Sequence, residues 1–238
     1  MEKILVEVCV DSLEGAIVAN ESGADRLELN LALELDGLTP SSGLVAEVLD
    51  SVSIPVITMC RPRSGDFCYS EKEWQTMLSD SRHLADLGVA GIAFGANLEN
   101  GQPDMPRIEQ IRKLLPSIEL VYHKAMDALA QPTVAIWQLV GAGVDRIMTS
   151  GGCPSSLDGA DQIKKLVEAA AGEIQVIPAG GVTAENAGKI VELTGVDQIH
   201  GSFSGGQPSN FVAVGHEIRR AIEAVSGLSG HHSSRPSG

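Results

Sequence analysis

Ile4-Leu-Val-Glu-Val-Cys-Val10, Asp11-Ser12, Leu13-Glu-Gly-Ala-Ile-Val-Ala-Asn-Glu21, Ser22-Gly-Ala-Asp25, Arg26-Leu-Glu-Leu-Asn30: this opening stretch reads as a strand, a helix and a second strand. Apolar residues alternate through 4–10 and again through 26–30, the period-two mark of a strand. Ser12 stands where a helix N-cap belongs, and Gly23 where a left-handed C-cap does. The same junction recurs as Gly141-Ala-Gly-Val-Asp-Arg146 and Thr194-Gly-Val-Asp-Gln198. Each time glycine follows a helix and aspartate precedes a strand.

Working outward, eight short runs rich in Val, Ile and Leu are predicted as strands: Ile4–Val10, Arg26–Asn30, Pro55–Cys60, Gly91–Gly95, Glu119–Lys124, Asp145–Thr149, Ile174–Ala179 and Asp197–Gly201. Helical patterns separate them at Ser12–Ser22, Gly43–Ser51, Glu71–Leu87, Asp104–Leu115, Thr133–Gly141, Leu157–Ala171, Thr183–Thr194 and Ser209–Ala224. Strict β-α alternation implies a parallel sheet. Eight repeats in 238 residues predict closure into an α/β barrel of the (β/α)8 TIM type, which averages about 250 residues; an open doubly wound sheet is the alternative. Residues 1–225 are expected to form this one domain. The Gly-, Ser- and His-rich tail 226–238 reads as disordered, with His231-His232 resembling a tag or linker remnant.

A formal net charge of −14 argues against nucleic acid and anionic membranes as partners. No apolar run approaches the ~20 residues of a membrane helix. The start Met1-Glu2-Lys3 lacks signal-peptide form, so the cytoplasm is the expected location. Cys9, Cys60, Cys68 and Cys153 are scattered without a CxxC pair and read as buried hydrophobes rather than a disulfide framework.

Alternation also sorts strand side chains between the barrel interior and the helix-covered exterior. Leu5, Glu7 and Cys9 face inward on the first strand, Arg26, Glu28 and Asn30 on the second. His123 faces inward on the fifth, and Gln198 and His200 on the eighth; Arg61 ends the third, with Arg63 just beyond. Polar groups at the mouth of such a barrel commonly form a ligand site. His123 and His200 beside Glu7 and Glu28 suit proton transfer, and Arg61 and Arg63 suit an anion. A purely structural ion pair of Glu7 or Glu28 with Arg61 stays open. Strand 7 ends in Pro178-Ala179-Gly180-Gly181, with Thr183 placed to cap the next helix, and strand 8 in His200-Gly201-Ser202. These are the positions where such barrels bind phosphate on bare backbone amides, although the glycines could serve tight turns alone. The segment Arg61-Pro-Arg-Ser-Gly-Asp-Phe-Cys-Tyr69 reads as a mouth-lining loop or a solvated turn.

Taken together, several strings resemble the CutC family, usually described as copper homeostasis proteins: Glu7-Val-Cys-Val-Asp-Ser12, Gly23-Ala-Asp-Arg-Leu-Glu-Leu29, Gly37-Leu-Thr-Pro-Ser41, Arg61-Pro-Arg-Ser-Gly-Asp-Phe67 with Tyr69, Thr149-Ser-Gly151 and Gly180-Gly-Val182. The resemblance implies a barrel, a cytoplasmic location, homo-oligomers such as a dimer, and a copper ligand at Cys9. It adds Asp127 to the catalytic candidates, and Ser150 and Gly151 to the ligand-binding ones. Three departures stand out. The family's Glu-Leu-Cys is Glu28-Leu-Asn30 here, its Phe-His-Arg-Ala-Phe-Asp is Tyr122-His-Lys-Ala-Met-Asp127, and its triple glycine is Ala179-Gly-Gly181. Cu(I) favours thiolates, and Asn30 leaves Cys9 as the remaining inward thiol of the pair. Weak Cu(I) binding is therefore expected. The alternative function is that of an enzyme performing lyase- or isomerase-type acid–base chemistry on a small anionic metabolite.

Overall fold

A computed structural model of the chain describes residues 3–204, 211–228 and 230. Eight strands appear among them: β1 (Leu5–Val10), β2 (Arg26–Leu29), β3 (Val56–Met59), β4 (Gly91–Phe94), β5 (Glu119–Tyr122), β6 (Arg146–Thr149), β7 (Gln175–Pro178) and β8 (Gln198–Gly201). The intervening helices are α1 (Leu13–Glu21), α2 (Ser42–Ser51), α3 (Glu71–Leu87), α4 (Met105–Leu114), α5 (Pro132–Gly141), α6 (Ala160–Ala170), α7 (Ala187–Thr194) and α8 (Phe211–Val225). All ladders are parallel, in the order β7-β6-β5-β4-β3-β2-β1-β8. A parallel bridge between Ala179 and His200 joins the two outer strands. The sheet thus closes into the expected TIM barrel, with its last seam at the mouth. No helix of the described residues is long and apolar enough to cross a membrane.

Local chemistry explains the element ends. Ser12, Ser41 and Asp104 cap α1, α2 and α4 with their side chains, and Ser70 with Glu73 forms a full capping box on α3. Two helices begin later than their sequence pattern suggests. Ser155 and Asp158 fold 155–158 into a turn before α6. Ahead of α7 the Asn186 side chain accepts from the Thr183 amide, so Thr183 opens a turn and does not act as the side-chain cap expected of it. Leu228, past the end of α8, packs on the core; residues 229 and 231–238 of the expected tail lie outside the described residues.

The exterior of the barrel is an apolar layer under the helices, with Val6, Val8, Leu27, Leu29, Ile92, Leu120, Ile147 and Ile199 all buried. Its interior is divided. Ile57, Met59, Ala93, Val121, Met148, Ile177 and Ala179 form an apolar cluster. The rest is charged: Glu7 accepts from Nε of Arg26 and, at 3.1 Å, from Arg146, which also pairs with Glu119. Gln198 and Gln175 accept from Arg26 and Arg146 at 2.7 and 3.2 Å. A buried carboxylate is tolerated here because two guanidinium groups and an imidazole meet it.

Candidate functional site

A cavity of about 1120 Å³ opens at the C-terminal ends of the strands, where barrels of this fold carry their sites. Its floor is apolar, from Met59, Met148 and Ala179, and its walls mix polar groups with Leu33, Phe67, Val182 and Phe203. Glu7 organises one wall from beneath. Its Oε1 lies 2.8 Å from Nδ1 of His200, whose Nε2 is 3.7 Å from Glu28. Burial opposes ionisation of Glu7, but Arg26, His200 and Arg146 outweigh it and hold the carboxyl well below its usual range. Burial likewise works against a charged His200; Glu28 and Glu7 overcome it and raise the imidazole pKa. His200 thus has a carboxylate facing each ring nitrogen, an arrangement that favours its protonated form.

Cys9 and Asn30 complete this wall. The Asn30 amide donates to Oε2 of Glu28 at 2.8 Å and to Sγ of Cys9 at 3.3 Å. Desolvation, then the Glu28 charge, pushes the Cys9 thiol well up. One ligand atom each from Cys9, Glu28 and His200 falls within 4.8 Å of the others. The sequence brought these residues to one face by alternation; that they converge on one point needed the β1–β2 and β1–β8 registers.

Arg61 requires a correction. It pairs with neither Glu7 nor Glu28. Its guanidinium donates to the carbonyls of Leu35, Asp36, Gly37 and Gly65 and lies 5.1 Å from the centre of the Phe67 ring. It ties two mouth loops together while lining the cavity. The partners of Glu7 are instead Arg26 and Arg146. Arg146 shares the inward parity of Met148 and stands as a charge beside the apolar Ile147 and Met148 of its strand, a signal legible in the sequence and missed. Arg63, unlike Arg61, does not reach the cavity: Glu73 at 2.5 Å, Asp66 at 3.1 Å and the Cys68 carbonyl engage it, and it covers the Tyr69 ring. The loop 61–69 nevertheless lines the mouth, through Arg61 and Phe67.

His123 lines the cavity from the end of β5 but has no carboxylate partner, contrary to expectation. Its Nδ1 accepts the Ala125 amide at 3.0 Å. Burial, reinforced by Arg61, lowers its pKa to about 3. Gly180 and Gly181 line the β7 end with positive φ values of 113° and 66°, and Gly201 and Ser202 line the β8 end. Beyond Met148 of β6, the loop that follows lines the cavity with Ser150, Gly152 and Cys153; Gly151 turns behind them against the backbone of Gly159.

Asp127 has both oxygens engaged. It accepts from the Thr149 and Ser150 hydroxyls and from the amides of Ser150 and Gly152, at 2.5–3.1 Å. This geometry makes it a positioning residue for the loop after β6 rather than a free acid or base. Asp127→Ala is expected to lower the unfolding free energy by about 2–3 kcal/mol, since several donors lose a charged acceptor together. Urea titration measures the loss. Amide exchange should accelerate at Ser150 and Gly152, and unchanged exchange there would show that the loop stands without the carboxylate.

With this geometry in place, comparison with known proteins gives one answer. The model of the CutC family matches residues 4–205. A CutC family protein of Treponema denticola is 42% identical over 200 residues, covering 84% of this chain and 81% of that one. The human copper homeostasis protein cutC homolog is 41% identical over 196 residues, covering 82% and 72%. Among solved structures, the copper homeostasis protein CutC of Streptococcus agalactiae superposes with a TM-score of 0.80 at 33% identity, over 84% of this chain and 98% of that one. Motifs, barrel and overall similarity agree, and the chain belongs to the CutC family.

Proposed function

We propose that the chain serves copper homeostasis, as the human relative's name says of that protein, by holding a copper ion at the barrel mouth on Cys9, Glu28 and His200. The observation that carries this reading is the convergence of the three ligand atoms within 4.8 Å. A thiolate and an imidazole suit copper, and the carboxylate adds a harder third donor. The donors fit the ion, on two conditions. The Asn30 amide must release Cys9 and Glu28, and the thiol must give up its proton, as must the ring nitrogen of His200 that meets the ion. Both conditions weaken binding relative to a site with two thiolates. We place the chain in the cytoplasm, where its four free cysteines stay reduced, and as a homo-oligomer, consistent with the exposed Val134 and Trp137 one turn apart on α5.

Competition titration of the reduced protein with Cu(I) tests the site. One ion is expected per chain, with Cys9→Ser and His200→Ala each weakening it by roughly tenfold or more. Asn30→Cys is expected to tighten it by restoring a second thiolate. Affinity unchanged in Cys9→Ser would overturn the assignment.

The cavity volume supports a second reading. About 1120 Å³ is far more than an ion occupies and matches pockets for small organic ligands. On this reading the barrel is an enzyme handling a small anionic metabolite, with His200 and Glu28 as its proton-transfer pair.

A further inference from the structure

Of the four cysteines, Cys9 and Cys153 line the cavity. Cys60 is buried and its thiol is engaged by Met77 and Ser81 of α3. Cys68 does not line the cavity. Cys9 is half-buried. Its strand neighbours Val8 and Val10 fill the helix-covered face and are buried, so the surface that Cys9 leaves exposed is turned to the cavity.

Cys153 is not a second sulfur for the same ion. It lies on the loop after β6, and β7 and β8 stand between that strand and β1 around the barrel. Among the described residues, the ligand atoms within 4.8 Å of one another are those of Cys9, Glu28 and His200, with one thiol in the set. Asn30, 1% exposed, fills the place beside that thiol. Its amide donates to Sγ of Cys9 at 3.3 Å and to Oε2 of Glu28 at 2.8 Å.

Soft Cu(I) is selected by thiolates, and a carboxylate is a hard donor. The protein thus supplies one of the sulfurs that such an ion prefers. In front of that sulfur lies a cavity of about 1120 Å³, while pockets for small organic molecules run to roughly 300–1,000 Å³. A second sulfur has room to arrive on a small molecule.

We propose that Cu(I) is held between Cys9 and the thiolate of a small monothiol seated in the cavity, the copper entering as its thiolate complex rather than as a bare ion. This rests on the copper reading of Cys9 and names what completes the site. The step is a ligand exchange, and copper stays Cu(I) throughout. An ion carrying two thiolates arrives, Sγ of Cys9 bonds to copper, and one of the incoming Cu–S bonds breaks. The departing thiolate takes the Cys9 proton and leaves as a thiol, so charge and protons balance. Burial and then the Glu28 charge make that proton hard to lose to water, and the exchange hands it to a departing base instead. With a second sulfur in place of the Glu28 oxygen, the Asn30 amide keeps its hold on Glu28.

Glutathione is the probe, and S-methylglutathione, which lacks the free thiol, is the control. Excess bicinchoninate fixes free Cu(I), and a phosphine serves as reductant. Millimolar glutathione should raise the apparent Cu(I) affinity of the full chain by roughly tenfold or more, a usual size for coupled binding. S-methylglutathione should not. Native mass spectrometry should show one copper and one glutathione per chain, and X-ray absorption at the copper edge two sulfur neighbours. Cys9→Ser should abolish this complex, and Cys153→Ser should leave it intact. Asn30→Cys should bind copper through two sulfurs without the added thiol. Equal affinity with and without glutathione, with one sulfur on copper, would overturn the thiol site and leave copper on Cys9, Glu28 and His200. Two sulfurs without glutathione, falling to one in Cys153→Ser, would also overturn it. If no copper binds under either condition, the thiol site and the copper reading fail together. Should Cys9→Ser fail to fold, the mass of the wild-type complex decides.

Discussion

Glu7→Gln is expected to lower the free energy of unfolding by about 3–5 kcal/mol, the usual cost of removing one partner from a buried ion pair. Glu7 is 1% exposed and is met by Arg26, Arg146 and His200. Arg146 is equally buried. Burial already lowers its pKa to about 10 against the pull of Glu7, so losing the carboxylate leaves it with the half-buried Glu119 as counter-charge. Urea unfolding at neutral pH measures the difference. The pH dependence has a fixed sign. The folded Glu7 carboxyl is held below its ordinary value of 4.5, so its contribution is whole above pH 4.5 and fades as pH falls through the folded value. His200 is raised above 6.5; its contribution is whole below pH 6.5 and is lost as pH rises through its folded value. The Glu7–His200 attraction is therefore complete between those two values, and the gap between wild type and Glu7→Gln closes in strong acid. A loss under about 1 kcal/mol at neutral pH, the range of an exposed pair, would contradict the network's burial.

Gly159→Ala is expected to cost about 3 kcal/mol or more, at the upper end of overpacking effects. A Cβ on Gly159 would sit 2.0 Å from the Ser150 carbonyl oxygen and 3.0 Å from Cα of Gly151. Both neighbours are backbone, so neither can rotate away. The damage should also travel, because Ser150 and Gly152 are the residues that Asp127 holds at the cavity wall. Thermal unfolding of Gly159→Ala beside Gly141→Ala gives the comparison. Gly141 has nothing within 4 Å of its Cβ position, and its substitution should cost little. Equal melting temperatures for the two variants would mean that the crossing of 150–151 with 159 yields easily.

Much of this architecture can be read from the chain. Alternation placed Glu7, Cys9, Arg26, Glu28, Asn30, His123, Gln198 and His200 on the inner face because period two is a local property of strands. Partner choice is not local. The pairing of Arg61 with a carboxylate, left open in the sequence, rested on charge alone, and the carbonyls of Leu35, Asp36 and Gly37 at and after the turn Leu33–Leu35 take up its guanidinium instead. Arg63 looked free because Glu73 lies on the next helix. Asp127 entered the catalytic candidates through the family resemblance, and the number of donors around it emerges only once the loop after β6 turns back. Gly95 and Gly159 gave no sequence signal, since their role is the close approach of separate segments, Gly95 to His123 and Gly159 to Ser150.

The charged half of the barrel interior also bears on how the chain reaches its fold. Glu7 contacts Arg146 across 139 positions and His200 across 193, and Arg26 contacts Gln198 across 172. These are among the most distant pairings the chain can make, and loop closure delays such contacts. A nascent chain that stops before β6 has Glu7 and Arg26 paired only with each other, without Arg146, Gln198 and His200, so the partial barrel lacks most of the partners that make its charged interior tolerable. The network thus acts late, after the ladders form, and locks a closed barrel rather than guiding its assembly. Its removal should appear mainly as faster unfolding, with the rate of folding nearly unchanged.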